Sequence, residues 1–283
     1  MRQSTNVVNV QGILNEVGIE ERTDSSGRKY ISGRVTLLVD QAIYGDVEHN
    51  EVQVSAFSYE LTKAGKINPS YASLKKLLDE GVSVAAVGGE VDKADKYRVS
   101  GADLRTNEFD SRDGRHIVYP EVRASFFSKV TGGFEPTATF EQEIYILDMH
   151  PEEKNDEETG RFIVKGAVVG YNDRVDIIDY IIENPQAIEY IRNNWGECVT
   201  VHVTGKIRAA VTKVTRTDSA DIGFGEPITR TYDRVVKEYV ITAGSPPIDD
   251  GFDPEEMATA IAKKNNLTKS APAPTQKPVN RGF

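Results

Sequence analysis

Two short segments of this chain have the same organisation, and together they constrain its fold more than any other feature. Both start with Asn-Pro, at residues 68–69 and 184–185, and both end in a glycine that precedes a valine-rich segment. Between these limits, apolar residues recur at helical spacing. In the first segment Ser70 can cap the helix and Gly81 can end it. The chain is therefore predicted to contain two helices at equivalent positions of a repeated unit.

Strand-like segments flank both helices in the same order. Three precede each helix and two follow it, with turn-forming residues between most of them. The predicted strands cover residues 7–21, 28–40, 50–60, 82–92 and 96–109 in the first unit, and 138–153, 160–173, 174–182, 198–211 and 233–244 in the second. This is the element order of an OB-fold barrel. The prediction is a mainly β protein with two tandem OB-fold barrels, each with a helix between strands three and four.

Changes in composition set the limits of these units. Residues 1–115 are predicted to form the first barrel, and residues 116–245 the second, with a long insertion between its fourth and fifth strands. A further predicted strand at residues 122–130 fits either barrel. Residues 246–283 are first acidic and then rich in Pro, Ala and Lys, which predicts a flexible C-terminal tail containing one short helix.

The chain is acidic, with a net charge of −10. Residues 1–120 contain 15 Lys and Arg against 18 Asp and Glu, whereas residues 121–245 contain 14 against 21. The second unit therefore carries most of the excess. This argues against tight, charge-driven coating of a polyanion, but it permits binding by basic residues that cluster on one face.

The sequence contains no motif for catalysis or for a cofactor. Its four histidines lack ligand spacing, and there is neither a Gly-rich phosphate loop nor a G-x-S-x-G turn. We therefore expect a protein that is not an enzyme and needs no cofactor or metal. The single cysteine, Cys198, is expected to be a small buried hydrophobe. The absence of a long apolar run or a secretory signal predicts a cytoplasmic protein without membrane association.

The outer faces of the second and third strands combine aromatic rings with polar groups. At period two, Tyr30 and Arg34 fall opposite the apolar side of strand two. On strand three, the outward positions are Gln53, Phe57 and Tyr59. An outward Phe57 either stacks on a nucleobase or packs beneath a loop or the second barrel. These five residues are candidates for nucleic-acid binding.

Basic residues elsewhere extend the candidate surface. The segment between strands four and five interleaves basic and aromatic residues, which is typical of an oligonucleotide-gripping loop or of a solvated hairpin. Its candidates are Lys93, Lys96, Tyr97 and Arg98. The second unit offers Arg161, Lys165, Lys213 and Arg216. The last two lie in the insertion, which is either a β-hairpin arm over nucleic acid or a contact to a neighbouring protomer.

The run NEVQVSAFSYELTKAGKINPSYASLKKLLDEGVSVAAVGGEVD contains a Val/aromatic strand, a basic-hydrophobic helix, a glycine and an apolar segment with a Gly-x-Val step. In these features the region of about residues 5–109 resembles the OB-fold single-stranded DNA-binding proteins of bacteria and their phages. Two barrels with a tail look like a phage-type replication protein. The resemblance implies binding of single-stranded DNA in replication, recombination or repair, in the bacterial host cytoplasm if the protein is phage-encoded.

The same resemblance implies roles for the candidate residues and for the tail. Tyr30, Phe57 and Tyr97 would stack on bases, while Arg34, Lys93, Lys96 and Arg98 would contact phosphates. The tail would recruit replication or recombination proteins, although this chain ends in PVNRGF, where the family has aspartates before its last residues. A homo-oligomer is compatible with the sequence, and stacking does not distinguish DNA from RNA.

The alternative function is a protein–protein assembly or virion module built from OB-folds. In that case the acidic second unit would dock a basic partner, and the net charge favours this hypothesis. The interleaved aromatic and basic residues favour nucleic-acid binding instead. The two hypotheses differ in their response to salt, because only DNA binding weakens along a slope set by a few phosphates.

Overall fold

The computed structural model describes residues 1–111, 113–218 and 228–269, and within these ranges it describes side chains except at residues 212–235 and 266–269. The described residues form eleven strands, three α-helices and two short 3₁₀ turns, so the chain is mainly β as predicted. The strands are β1 (Asn6–Thr23), β2 (Lys29–Ile43), β3 (Asp46–Tyr59), β4 (Lys96–Asp110), β5 (His116–Arg123), β6 (Phe126–Lys129), β7 (Thr137–Lys154), β8 (Glu157–Val169), β9 (Val175–Ile182), β10 (Thr200–Asp218) and β11 (Ile228–Gly244). The helices are α1 (Pro69–Glu80), α2 (Pro185–Asn194) and α3 (Pro254–Lys269).

Strands β1 to β6 and helix α1 form the first barrel. β1, β2 and β3 are antiparallel neighbours, β4 pairs with β1 and β5, and a short parallel contact between β5 and β3 closes the barrel. Helix α1 buries Tyr71, Leu74 and Leu77 in the core. Its cap is Asn68, whose side chain accepts the Ser70 amide, so the predicted Ser70 cap is wrong by two residues.

The predicted fourth strand at residues 82–92 is wrong. Most of this segment forms turns, with the Val87 amide bonded to the Ser83 carbonyl at 3.1 Å. Gly88 and Gly89 have φ of +69° and +94°, a backbone conformation that interrupts a pleated strand. The predicted fifth strand is therefore the fourth, β4, and β5 takes the fifth position. Helix α1 still lies between strands three and four.

The strand predicted at residues 122–130 pairs within the first barrel. It is divided between the end of β5, which contacts β3 and β4, and β6, which pairs with the first half of β4. Val122 and Phe127, one from each part, are buried in the core. The pairing of the first barrel thus extends to Lys129.

Strands β7 to β11 and helix α2 repeat the order of the first barrel. β7 pairs with β8 and β10, β8 pairs with β9, and β9 meets β11 in parallel where Ile181 lies opposite Val240. Helix α2 is capped by Asn184, whose side chain accepts hydrogen bonds from the amides of Gln186 and Ala187. The tandem OB-fold prediction is therefore confirmed.

In the described part of the predicted insertion, strands β10 and β11 of the second barrel continue as one long antiparallel pair, which we call the hairpin; residues 219–227 lie outside the described residues. β10 and β11 pair from Val203 opposite Gly244 to Asp218 opposite Ile228. Buried Gln41 and Asn50 of the first barrel bond to the backbone of this hairpin, at Ile207 O (2.9 Å) and at Ala209 N (2.7 Å). Since buried polar groups need hydrogen-bond partners, these contacts fix the base of the hairpin on β2 and β3.

The two barrels are joined by pairing of their first strands. β1 and β7 run antiparallel, from Asn6 opposite Gln142 to Gln11 opposite Thr137. Each of these strands also pairs with the fourth strand of its own barrel, β1 with β4 and β7 with β10. The first strands are thus related by an approximate two-fold axis, and the barrels share one continuous sheet.

Helix α3 is the short helix predicted within the tail, and it packs on the second barrel. Met257 and Phe252 are buried against Tyr145 and neighbouring residues of that barrel. The Arg2 guanidinium lies 4.4 Å from the Phe252 ring centroid and forms a 2.5 Å ion pair with Glu143. The rest of the predicted tail, residues 270–283, lies outside the described residues. No helix in the described part of the chain is long and apolar enough to cross a membrane.

Candidate nucleic-acid interface

Three aromatic rings form a cluster on the outer face of β2 and β3, which we call the aromatic platform: Tyr30, Phe57 and Tyr59. Their ring centroids are 5.1–5.9 Å apart. The register explains the cluster, since Tyr30 lies opposite Tyr59 and Ser32 lies opposite Phe57. Phe57 is 43% exposed, so no loop and no part of the second barrel covers it among the described residues. The platform is open to a ligand with a flat apolar face.

A close approach of the backbones supports this part of β2. Gly33 has φ of +145°, and a Cβ at this position would lie 2.1 Å from the Gly18 carbonyl oxygen on β1. Only glycine therefore fits between the two strands here. Gly33 lies between Ser32 and Arg34, so β1 and β2 approach each other closely at the part of β2 that carries these outward-facing residues.

An arginine that sequence reasoning missed lies against the platform. The Arg28 guanidinium is 4.4 Å from the Tyr59 ring centroid, and its Nη2 donates to Tyr59 Oη at 3.1 Å. Asp24 holds the same guanidinium through a 2.8 Å ion pair. Arg28 is separated from Tyr30 and Arg34 by an even number of positions, so a period-two pattern puts all three on the same face of the strand. This pattern was the signal that could have identified Arg28.

Arg34 lies farther along the same face and contacts strand β5. Its Nη2 donates to Tyr119 Oη at 2.9 Å, and Asn107 Nδ2 donates to the same oxygen at 3.0 Å. The Tyr119 ring packs edge-on against Phe109 at 6.1 Å. Within the described residues Arg34 forms no ion pair, so its charge is available to an anion. Sequence reasoning missed Tyr119 and Phe109, because they reach this face only through closure of the barrel.

Gln53 marks the covered edge of the face. Its Oε1 accepts a 3.0 Å hydrogen bond from Lys237 Nζ on β11. Partial burial and the positive charge of Arg34 lower the pKa of Lys237. The hairpin of the second barrel therefore limits the open surface on this side and leaves the aromatic platform free at the other end of β3.

The candidates between residues 93 and 98 divide into three environments. Lys93 pairs with Glu90 at 2.7 Å on the surface. Lys96 and Arg98 are exposed on the outer side of β4. Tyr97 is only 4% exposed and lies in the core, which corrects its expected role in stacking. Tyr97 has the same parity as the buried Val99, so its ring points inward with the apolar residues of β4.

In the second barrel, Arg161 is a structural residue. It pairs with three carboxylates, Glu152, Glu183 and Glu238, at 2.8–3.5 Å. Its charge is therefore compensated, which corrects the expectation that it contacts nucleic acid. Lys165 is half-buried on β8 opposite Asp179. The side chains of Lys213 and Arg216 lie outside the described residues.

One further expectation about a single residue is corrected. Cys198 is exposed and not buried, since it lies in a turn with φ of +64°. On helix α2, Tyr190 is 39% exposed, whereas Trp195 directly after the helix is buried. Across the described ranges, no group of three or more His, Cys, Asp or Glu side chains is arranged to hold a metal ion.

Solved structures of the single-stranded DNA-binding protein from Thermus aquaticus have a similar fold. A deletion mutant matches with a TM-score of 0.56 and 14% identity, over 90% of this chain and 100% of that chain. The wild-type protein matches with a TM-score of 0.52 and 12% identity, over 89% of this chain and 97% of that chain. At these identities the similarity shows the fold alone.

The comparisons by sequence give one family and no curated relative. No curated protein matches this chain. The model of the YorF family matches residues 4–273, which is nearly the whole chain. The chain therefore belongs to the YorF family.

Proposed function

We propose that this protein binds single-stranded DNA on the outer face of the first barrel. The observation that carries the proposal is the aromatic platform, three clustered rings of which Phe57 is 43% exposed, with the arginines Arg28 and Arg34 beside it. Single-strand binders combine such rings, on which bases stack, with cations that contact phosphates. Each stacked base contributes about 1–3 kcal/mol, so three rings would supply about 3–9 kcal/mol of the roughly 8 kcal/mol that micromolar affinity requires, and phosphate contacts would add to this.

The arrangement favours a single strand over a duplex. Bases can stack on the Tyr30 and Phe57 rings only when their faces are not already stacked within a duplex, as in a single strand. Arg34 has no ion pair with a described residue and is free to contact a phosphate next to a base on the platform. Both DNA and RNA offer these groups, and the proposal of DNA is supported by the shared fold with the single-stranded DNA-binding protein from Thermus aquaticus.

The second barrel acts as a support in this proposal. The first two strands form a hairpin in each barrel, β1–β2 in the first and β7–β8 in the second. Near its turn, the first hairpin has Arg22 opposite Tyr30, whereas the second has Glu153 opposite Glu158. This acidic hairpin repels phosphate, in keeping with the excess of Asp and Glu after residue 120. Binding is therefore directed to the first barrel, although the two barrels share a fold.

The proposed biological setting is DNA replication, recombination or repair, in a phage-type protein of the host cytoplasm. The support is the two-barrel fold shared with a single-stranded DNA-binding protein, together with the phage-type organisation of the sequence. Recruitment of replication or recombination proteins by residues 270–283, and assembly into a homo-oligomer, are part of the same proposal.

The first test is fluorescence anisotropy of a labelled oligo-dT at low salt, with matched duplex and oligo-rU as competitors. The proposal predicts saturable binding that the duplex does not displace, and a log–log salt dependence set by a few phosphates. If oligo-rU displaces the labelled oligo-dT at lower concentrations than unlabelled oligo-dT does, the site is assigned to RNA. No binding at low salt would overturn the proposal and favour the protein–protein assembly module, with the acidic second barrel as its docking surface.

A further inference from the structure

Two exposed cations on β4 have no carboxylate partner among the described residues. Lys96 Nζ lies 4.8 Å from the ring centroid of Phe134, and Arg98 Nε donates to Gln11 Oε1 at 2.8 Å. By contrast, Lys93 on the preceding turn is already paired with Glu90. Lys96 and Arg98 therefore keep an uncompensated positive charge on one small area of surface.

Phe134 belongs to the linker between β6 and β7, and a buried amide holds this linker in place. Gln11 is 6% exposed, and its Nε2 donates to the Glu135 carbonyl at 2.9 Å while its Oε1 accepts from Arg98. The same side chain thus positions the guanidinium and the segment that carries the ring. These groups border a surface depression of about 690 Å³, which is lined by Gln11, Arg98, Gly133, Phe134, Glu135 and Thr137.

Strand β6 connects this depression to the aromatic platform. Ser125 Oγ donates to the Phe57 carbonyl at 3.0 Å, so β6 starts directly beside the platform. Phe126 is 42% exposed at its first position, and Ser128 lies opposite Arg98. Four residues of strand span about 13 Å. An extended ligand that leaves the platform along β6 therefore meets an exposed ring first and the two cations next.

We infer that Phe134, Lys96 and Arg98 form a second subsite for the same single strand, reached from the platform along β6. This inference rests on the proposed function. Phe134 stacks on a base, and the two cations contact the phosphates on either side of it. The strand thus continues around the first barrel to the junction of the two barrels.

The test compares two lengths of labelled oligo-dT, about 5 and about 20 nucleotides, which occupy one subsite or both. The variant is Phe134→Leu, which keeps an apolar side chain under Lys96 but removes the ring. We expect it to weaken binding of the long oligonucleotide by about fivefold or more and to leave the short one unchanged. Lys96→Gln should lower the salt slope by about 1 for the long oligonucleotide only.

The matched controls are Tyr171→Leu and Phe57→Ala. Tyr171 is a 73% exposed ring on the second barrel and should affect neither length, whereas Phe57→Ala should weaken both. Thermal unfolding verifies that each variant remains folded. If Phe134→Leu leaves the long oligonucleotide unchanged, or weakens both lengths equally, the second subsite is overturned while the proposed function stands. If the unmodified protein binds neither length, the proposed function fails and the subsite fails with it.

Discussion

Tyr119 Oη accepts a hydrogen bond from Arg34 Nη2 at 2.9 Å, although the two residues lie 85 positions apart. This contact holds a guanidinium from β2 at the phenol oxygen of a residue on β5. Because Asn107 donates to the same oxygen, the phenol is held from two sides. Arg34 is therefore positioned beside the aromatic platform before any ligand arrives, which lowers the entropy cost of a phosphate contact.

Tyr119→Phe should weaken oligo-dT binding about two- to fivefold, since it removes a hydrogen bond worth about 1 kcal/mol that positions Arg34. The ring and its packing against Phe109 remain, so stability should change little. Titration by anisotropy measures the effect. Tyr44→Phe is the control, because it removes another phenol hydrogen bond, to Ile241 O, at the opposite end of the β2–β3 hairpin. Equal effects of both variants would contradict the positioning role.

Phe57→Ala should weaken oligo-dT binding by about 1–3 kcal/mol, because it removes the most exposed ring of the platform. Its effect on the midpoint of urea unfolding should be small, since the side chain is 43% exposed. Tyr190→Ala removes a ring of similar exposure from α2 and should leave affinity unchanged. Unchanged affinity in folded Phe57→Ala would show that the platform is not the binding surface.

Tyr97→Ala should lower stability, whereas Phe57→Ala should lower affinity for oligo-dT with little effect on stability. Its ring is buried in the core of the first barrel, so truncation leaves a cavity and should cost about 3–5 kcal/mol of unfolding free energy. Urea unfolding measures this loss directly. A Tyr97→Ala variant with the stability of the unmodified protein would contradict the placement of this ring in the core.

Arg208→Met should destabilise the protein by about 3–5 kcal/mol at neutral pH, because it removes the ion-pair partner of Glu48 and leaves Glu183 and Glu238 with Arg161 alone. Arg208 is 14% exposed and pairs with Glu48, Glu183 and Glu238 at 2.7–2.8 Å. The control is Arg22→Met, which breaks an exposed pair with Glu20 and should leave stability unchanged.

The same cluster predicts a pH dependence of stability. Burial disfavours the charged form of Glu238, but hydrogen bonds from Arg161 and Arg208 outweigh it and lower the pKa. A carboxyl whose folded pKa is lowered stabilises the protein above its unfolded pKa, and this contribution is lost as the pH falls through the folded value. The unmodified protein should therefore lose more stability on acidification below about pH 4.5 than Arg208→Met does. A steeper acid loss in the variant would contradict this assignment.

Local patterns in the sequence predict the fold class, most of the strands and the two barrel helices. Period-two alternation identifies β2 and β3 and puts Tyr30, Phe57 and Tyr59 on one outer face, and the two Asn-Pro segments identify the helices. These signals are local, since they depend on backbone preferences and on the side-chain direction of neighbouring residues. The same local pattern contained the correct position of Tyr97, whose parity with Val99 points inward.

Contacts between distant segments settle which charges are compensated and which rings meet. Arg34 and Arg161 each lie on the second strand of a barrel. Arg161 is neutralised by Glu238, 77 residues away, whereas among the described residues the Arg34 side chain bonds only to the phenol of Tyr119. The pairing of β1 with β7 was likewise not predicted from either strand. Alternation within a strand specifies a face but not the strand that will cover it. That choice depends on how the barrels close, and closure is set by packing between segments distant in the chain.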